Sequence, residues 1–287
     1  KSGHSLNPIP IILSLLLVGF CLTGCRTESP ELSIHESDQP VVHFNGFTIP
    51  KFPRAIDQLN YARSGFPDSK EKRAAFEFVI RYFPRDRAEC GEAVLSIAFM
   101  NFGFDYRFAL LQDYYQAIEE YQDITKYYAD QPTVMAKAYW YLGWIHCDLL
   151  NEKDKGLPYF WKITREYPDI PLGISSPVPW VSLVYPAPDE KSPAKGSKTR
   201  HTWAGIALLE IIRHSSDSQD INKAFDLLWE TDRNSPATGI AIRLLLSDPA
   251  YIDWIRPYVL SYLKQNAAVN PFLAEELTAA LNKEGNG

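Results

Sequence analysis

Three segments of this chain end in the same way, and that recurrence limits its fold more than any other feature. Phe76-x-x-Val79-x-x-x-Phe83-Pro84, Tyr121-x-x-Ile124-x-x-x-Tyr128-Ala129 and Phe160-x-x-Ile163-x-x-x-Tyr167-Pro168 superimpose without gaps. Steps of three and four residues place the large side chains of each on one helical face. The starts are offset by 45 and then 39 residues, within the span of helical repeats, which run from about 33 to 47 residues. From Phe52 to Asp169 apolar residues keep the same spacing, so the expected class is all-α, built from stacked helix pairs.

The segment VMAKAYWYLGWIHCDLLNEKDKGLPYFWKITREYP, from Val134 to Pro168, is the most complete unit. Small residues fall at Ala138, Gly143 and Gly156, where two helices must come close. It resembles a tetratricopeptide repeat. The family's aromatic-x-x-Leu-Gly-x-x-aromatic signature is met by Tyr139, Leu142 and Gly143, with His146 in the last slot. Its small-x-x-x-aromatic signature and closing proline are met by Gly156, Phe160 and Pro168. The departures are Gly for the usual Ala at 156, Ile163 for another Ala, and one extra residue in the turn.

The resemblance implies a right-handed superhelix of antiparallel helix pairs over residues 52–169, with a concave groove that binds partners. Residues three before, one after and four after the small residue of each first helix face that groove. Counted from Gly143 these are Trp140, Trp144 and Cys147; counted from Ala98 they are Leu95, Phe99 and Phe102. Glu92 and Lys137, six before each marker, fall on the same face. A groove lined by aromatics and a few charges suits an extended peptide or sugar rings. Equally, the apolar segment 178–185 of the same chain can fill it and turn it into core, since exposed patches of that size are uncommon.

Residues 1–25 stand apart. Ile11 to Leu22 is a 12-residue, almost wholly apolar run followed by Thr23-Gly24-Cys25. That is too short for a bilayer-spanning helix but suits a signal-peptide core. The ending resembles the lipobox of bacterial lipoproteins, which makes Cys25 the lipidation site and the membrane anchor. Arg26 stands where that family's inner-membrane retention signal has Asp, which implies the periplasmic face of the outer membrane. Residues 26–51 are polar and proline-containing and read as a flexible tether in which Val41 to Ile49 docks as an extended stretch. The formal charge of −6 and the lack of a basic block argue against nucleic-acid binding.

Residues 170–200 hold Pro171, Pro177, Pro179, Pro186, Pro188 and Pro193 and read as a long proline-rich loop. Residues 201–287 return to a helical pattern. Ser235-Pro236, Asp248-Pro249 and Asn270-Pro271 are start signals, giving expected helices near 201–214, 219–231, 236–247, 249–265 and 271–283, with a bend at Pro257. Upstream, Pro132 suits a first helical position. Pro158 is tolerated only near a helix start, so that helix should begin at about Lys155 with Asp154 as its cap.

Catalytic motifs are missing: the chain has no G-x-S-x-G, H-E-x-x-H, phosphate loop or C-x-x-C. Glu119, Glu120 and Asp123 read as a solvated helix face, and His146 as a packed, hydrogen-bonded histidine. The repeat register sets Cys90 and Cys147 about 18 Å apart along parallel helices, too far for a disulfide. The expected function is therefore a lipid-anchored adaptor that holds a protein partner in the cell envelope, without catalysis, cofactor or metal. The alternative is a glycan-binding outer-membrane lipoprotein.

Overall fold

The computed structural model describes residues 40–64, 69–102, 111–172, 202–233 and 235–266, with 274, 275, 277–279 and 281 beyond them. The leader, Cys25, most of the tether, the 178–185 segment and Asn270-Pro271 lie outside these residues. Among the described residues the fold is helical apart from one β-hairpin and one isolated bridge. The helices are α1 (Ala55–Arg63), α2 (Ser69–Tyr82), α3 (Arg87–Phe102), α4 (Leu111–Tyr127), α5 (Pro132–Trp144), α6 (Lys153–Glu166), α7 (Trp203–His214), α8 (Ser218–Asp232), α9 (Pro236–Leu246) and α10 (Ile252–Asn266).

Each helix packs on the next in sequence, and the odd-numbered helices also touch in a row: α1 on α3, α3 on α5, α5 on α7, α7 on α9. Helix α5 is the centre of this row. Every residue from Val134 to Trp144 is buried, as expected for a helix that is apolar on all sides but for Lys137. At the crossing of α5 and α6, a Cβ added to Gly143 would lie 2.6 Å from a ring carbon of Phe160, and one added to Gly156 would lie 2.8 Å from the Gly143 carbonyl oxygen. The small residues are thus where the two backbones meet.

The extra residue of the α5–α6 connection is taken up by a π-helical turn, Ile145–Leu149, in which the Leu150 amide donates to the Ile145 carbonyl at 3.0 Å. A bond five residues back accommodates one residue more than an α-turn. Helix α6 then starts at Lys153, two residues before the expected point, and Asp154 is in its first turn rather than at the cap. The Glu152 carbonyl begins the ladder by accepting from Lys155 and Gly156. Pro158 is inside the helix, where its ring removes the amide that would bond Asp154.

Residues 41–50, placed in the tether by sequence, form an antiparallel hairpin of β1 (Val41–Phe44) and β2 (Phe47–Pro50). Asn45 and Gly46 both have positive φ, 49° and 85°, as a tight two-residue turn requires. Ile49 is buried with Ala74 and Phe78 of α2, and Phe44 meets Phe78 edge-on at 5.5 Å. Gln58 clasps the strand's exit: its side chain donates to the Pro50 carbonyl at 3.1 Å and accepts from the Phe52 amide at 3.0 Å.

Near the C-terminus, Ser235 caps α9 by accepting from Thr238, with Pro236 in the first turn. Asp248 instead caps a turn, accepting from the Ala250 amide at 2.9 Å, so α10 begins at Ile252 rather than 249.

Candidate functional site

The face of the odd-numbered helices is where the expected site residues come together, and it divides into a closed and an open part. The closed part lies over α5 and α7. Trp140 is fully buried, stacked on Trp144 at 5.9 Å and tilted against Trp203 of α7 at 6.1 Å. Leu95 and Cys147 are also buried, and half-buried Phe99 packs on Tyr141 at 5.9 Å. The side chain of Phe102, at the end of α3, lies outside the described residues. The groove expected over Leu95, Trp140, Trp144 and Cys147 is therefore filled by the chain itself. Removing the indole rings from water is strongly favourable, and Trp203 of α7 covers Trp140.

Two local features hold α7 there. Thr202 caps the helix, its hydroxyl accepting from the Gly205 amide at 3.1 Å. The Trp203 amide donates to the Ile170 carbonyl at 3.0 Å, beside a bridge between Pro171 and Thr202. The two ends of the proline-rich segment are thereby tied together where α6 ends and α7 begins.

The open part lies at the amino-terminal ends of α3 and α5 beside α1. Here Ile56, Leu59, Arg63, Glu89, Thr133 and Leu172 are among the residues around a groove of about 370 Å³. Its floor carries an ion chain. Lys137 Nζ donates to both oxygens of Glu92 at 2.5 and 2.6 Å, and Arg63 Nη2 donates to Glu92 Oε2 at 2.7 Å. Lys137 is the sole charged residue of α5 and is buried. Burial pushes its pKa down, while the Glu92 carboxylate opposes that shift. Of the eight residues expected to line the groove, Glu92 and Lys137 are the two that the structure brings together at its open part.

A larger cleft of about 510 Å³ runs between α3 and α4 past Glu120 and Asp123. Glu119 and Asp123 are exposed, and Glu120 accepts from Asn101 and Gln116, so these acids are a solvated face. His146 is buried, its Nδ1 2.8 Å from Glu152 Oε2 and its ring stacked on Tyr159. Cys90 and Cys147 are free and buried. Burial pushes both thiols up, that of Cys147 to about 12.

Sequence reading missed one group. Asp148 on the π turn pairs with Arg213 and His214 of α7, both of which also pair with Glu210, and Arg213 Nη2 is 2.5 Å from each Asp148 oxygen. The signal was available: Glu210 and His214 are one helical turn apart, but Asp148 is more than 60 positions upstream and only the fold joins it to them.

No family model, curated protein or solved structure matches the chain.

Proposed function

We propose that this protein is a lipid-anchored adaptor of the bacterial envelope, a tetratricopeptide-like array that holds a protein segment in the open groove between α1, α3 and α5. The observation that supports the reading is the continuous row of odd-numbered helices with a charge-lined section beside Arg63, Glu92 and Lys137 that is left open among the described residues. In a right-handed array of antiparallel pairs that row is the concave side. Its apolar rim, with Ile56 39% exposed, offers an anchor for one apolar side chain of the partner, while the ion chain and Glu89 select polar neighbours. The lipobox-like Leu22-Thr23-Gly24-Cys25 supplies the anchor and the periplasm-facing outer-membrane location. No helix of the described residues is long and apolar enough to cross a membrane. The glycan alternative drew on Trp140 and Trp144, whose faces are taken by each other and by Trp203.

Two variants test the reading. Cys25→Ser, expressed as the full precursor in a diderm bacterium, should lose acylation and leave the outer-membrane fraction. Ala88→Trp, at an exposed position on the groove wall, should block partner capture with an unchanged melting temperature. Retained acylation in the first, or undiminished capture in the second, contradicts the proposal.

A further inference from the structure

We infer that the outer edge of β1 is a self-pairing surface, to which a second copy of this chain adds its own β1, antiparallel and related by a two-fold axis at Val42. The Lys51 amide donates to the Pro40 carbonyl at 2.7 Å, and that bond sets the phase of the hairpin ladder. Antiparallel strands bond to one neighbour at every second position. Pro40, Val42 and Phe44 therefore bond inward, to Lys51, Ile49 and Phe47, while Val41 and His43 turn their N–H and C=O groups away from β2. No hydrogen bond within the described residues takes up these outward backbone groups. Both residues are exposed, Val41 to 60%. The edge of β2 is shut at Pro50, which is buried, has no amide, and has a carbonyl that accepts from Gln58 Nε2 at 3.1 Å.

The register selects a second copy as the occupant. Open strand edges are templates for another strand, and natural ones are blunted by Lys, Pro or a bulge; Val41-Val42-His43-Phe44 carries none of these, and no like charge stands on it to repel a copy. The open stretch is bounded by Pro40 and by the Asn45-Gly46 turn, and a second β1 matches it in length. With Val42 opposite Val42 of the copy, Val41 stands opposite His43, and each such pair exchanges two N–H···O bonds. The two-fold axis repeats the pair, as an isologous contact requires. Val42, half-buried against the cluster of Ile49 and Phe78, then meets its own copy on the face toward α2, and Val41 gains cover from His43 on the other face. Such a contact is smaller than the about 1,200 Å² of a stable complex, so the pair is transient and concentration-dependent.

The test traps that pair through an introduced thiol, in the full chain carrying Cys21→Ser and Cys25→Ser, where the remaining Cys90 and Cys147 are buried. Residues opposite each other at a non-hydrogen-bonded position have Cα atoms about 4.5 Å apart, within the reach of a disulfide. Under mild oxidation Val42→Cys should therefore give a disulfide-linked dimer faster than Val41→Cys or Thr48→Cys, although positions 41 and 48 are the more exposed. Adding Val41→Pro deletes one outward amide from each copy and leaves the hairpin's own bonds in place, so it should slow dimer formation by at least about tenfold. Thr48→Pro puts a proline on the other edge of the same hairpin and should leave the Val42→Cys dimer unchanged. A Val42→Cys dimer that fails to form, forms no faster than those at 41 and 48, or responds alike to Val41→Pro and Thr48→Pro overturns the inference.

Discussion

The indole of Trp203 lies tilted at 58° against that of Trp140, centroids 6.1 Å apart, and both rings are fully buried. This contact makes the middle of the face formed by the odd-numbered helices part of the core. Trp140→Ala and Trp203→Ala should each destabilise the protein by about 3–5 kcal/mol, the usual range for a packed Trp. Because the rings touch, the double variant should lose less than the sum. Chemical denaturation of the four proteins in the cycle measures both.

The ion chain on the groove floor predicts an asymmetric pair of substitutions. Glu92→Gln leaves Lys137 charged and buried without a counter-charge, and should destabilise by about 3 kcal/mol. Adding Lys137→Met to Glu92→Gln should recover most of that loss, since an apolar side chain of similar length suits the buried face of α5. Urea midpoints of the single and double variants decide this.

The crossing of α5 and α6 has no room for a methyl group at Gly143, where a Cβ would stand 2.6 Å from the Phe160 ring. Gly143→Ala should lower stability by about 1–3 kcal/mol despite the better helix propensity of Ala. Pairing it with Phe160→Leu should relieve the overlap, which thermal melts of both proteins will show.

Much of this architecture is legible in the sequence because it rests on local pattern. The aromatic endings at 76, 121 and 160, the small residues at 143 and 156, and the proline at 132 all report on their own helix or its nearest neighbour. Asn45-Gly46 between two short apolar stretches was an equally local signal, for the hairpin. What was not legible depends on contacts between distant segments. The cover over Trp140 comes from Trp203, beyond the proline-rich segment, and the Asp148–Glu210–His214 group needs the π turn to meet α7. Helical periodicity shows that a face is apolar; it does not show which segment buries it.

Asp232 gives the fold a pH dependence. Burial raises its carboxyl to about 7, against a smaller opposing effect of the Ser235 hydrogen bond. The folded chain therefore holds a proton that the unfolded chain releases near pH 4. Stability should fall as pH rises from about 4 to about 7 and then level off. Asp232→Asn should flatten that slope and raise the melting temperature at pH 8 more than at pH 4. Parallel melts of the two proteins across pH 4–8 measure the difference.

The open groove between α1, α3 and α5 is the claim on which the functional account turns. A photo-crosslinking amino acid at Thr133, exposed at the groove mouth, compared with one at Glu119, exposed on α4 outside the groove, addresses it in living cells. The account predicts a discrete crosslinked protein at position 133 that disappears when Ala88→Trp is added, and none at position 119. Equal crosslinking at both positions, or a product at 133 that survives Ala88→Trp, would contradict it.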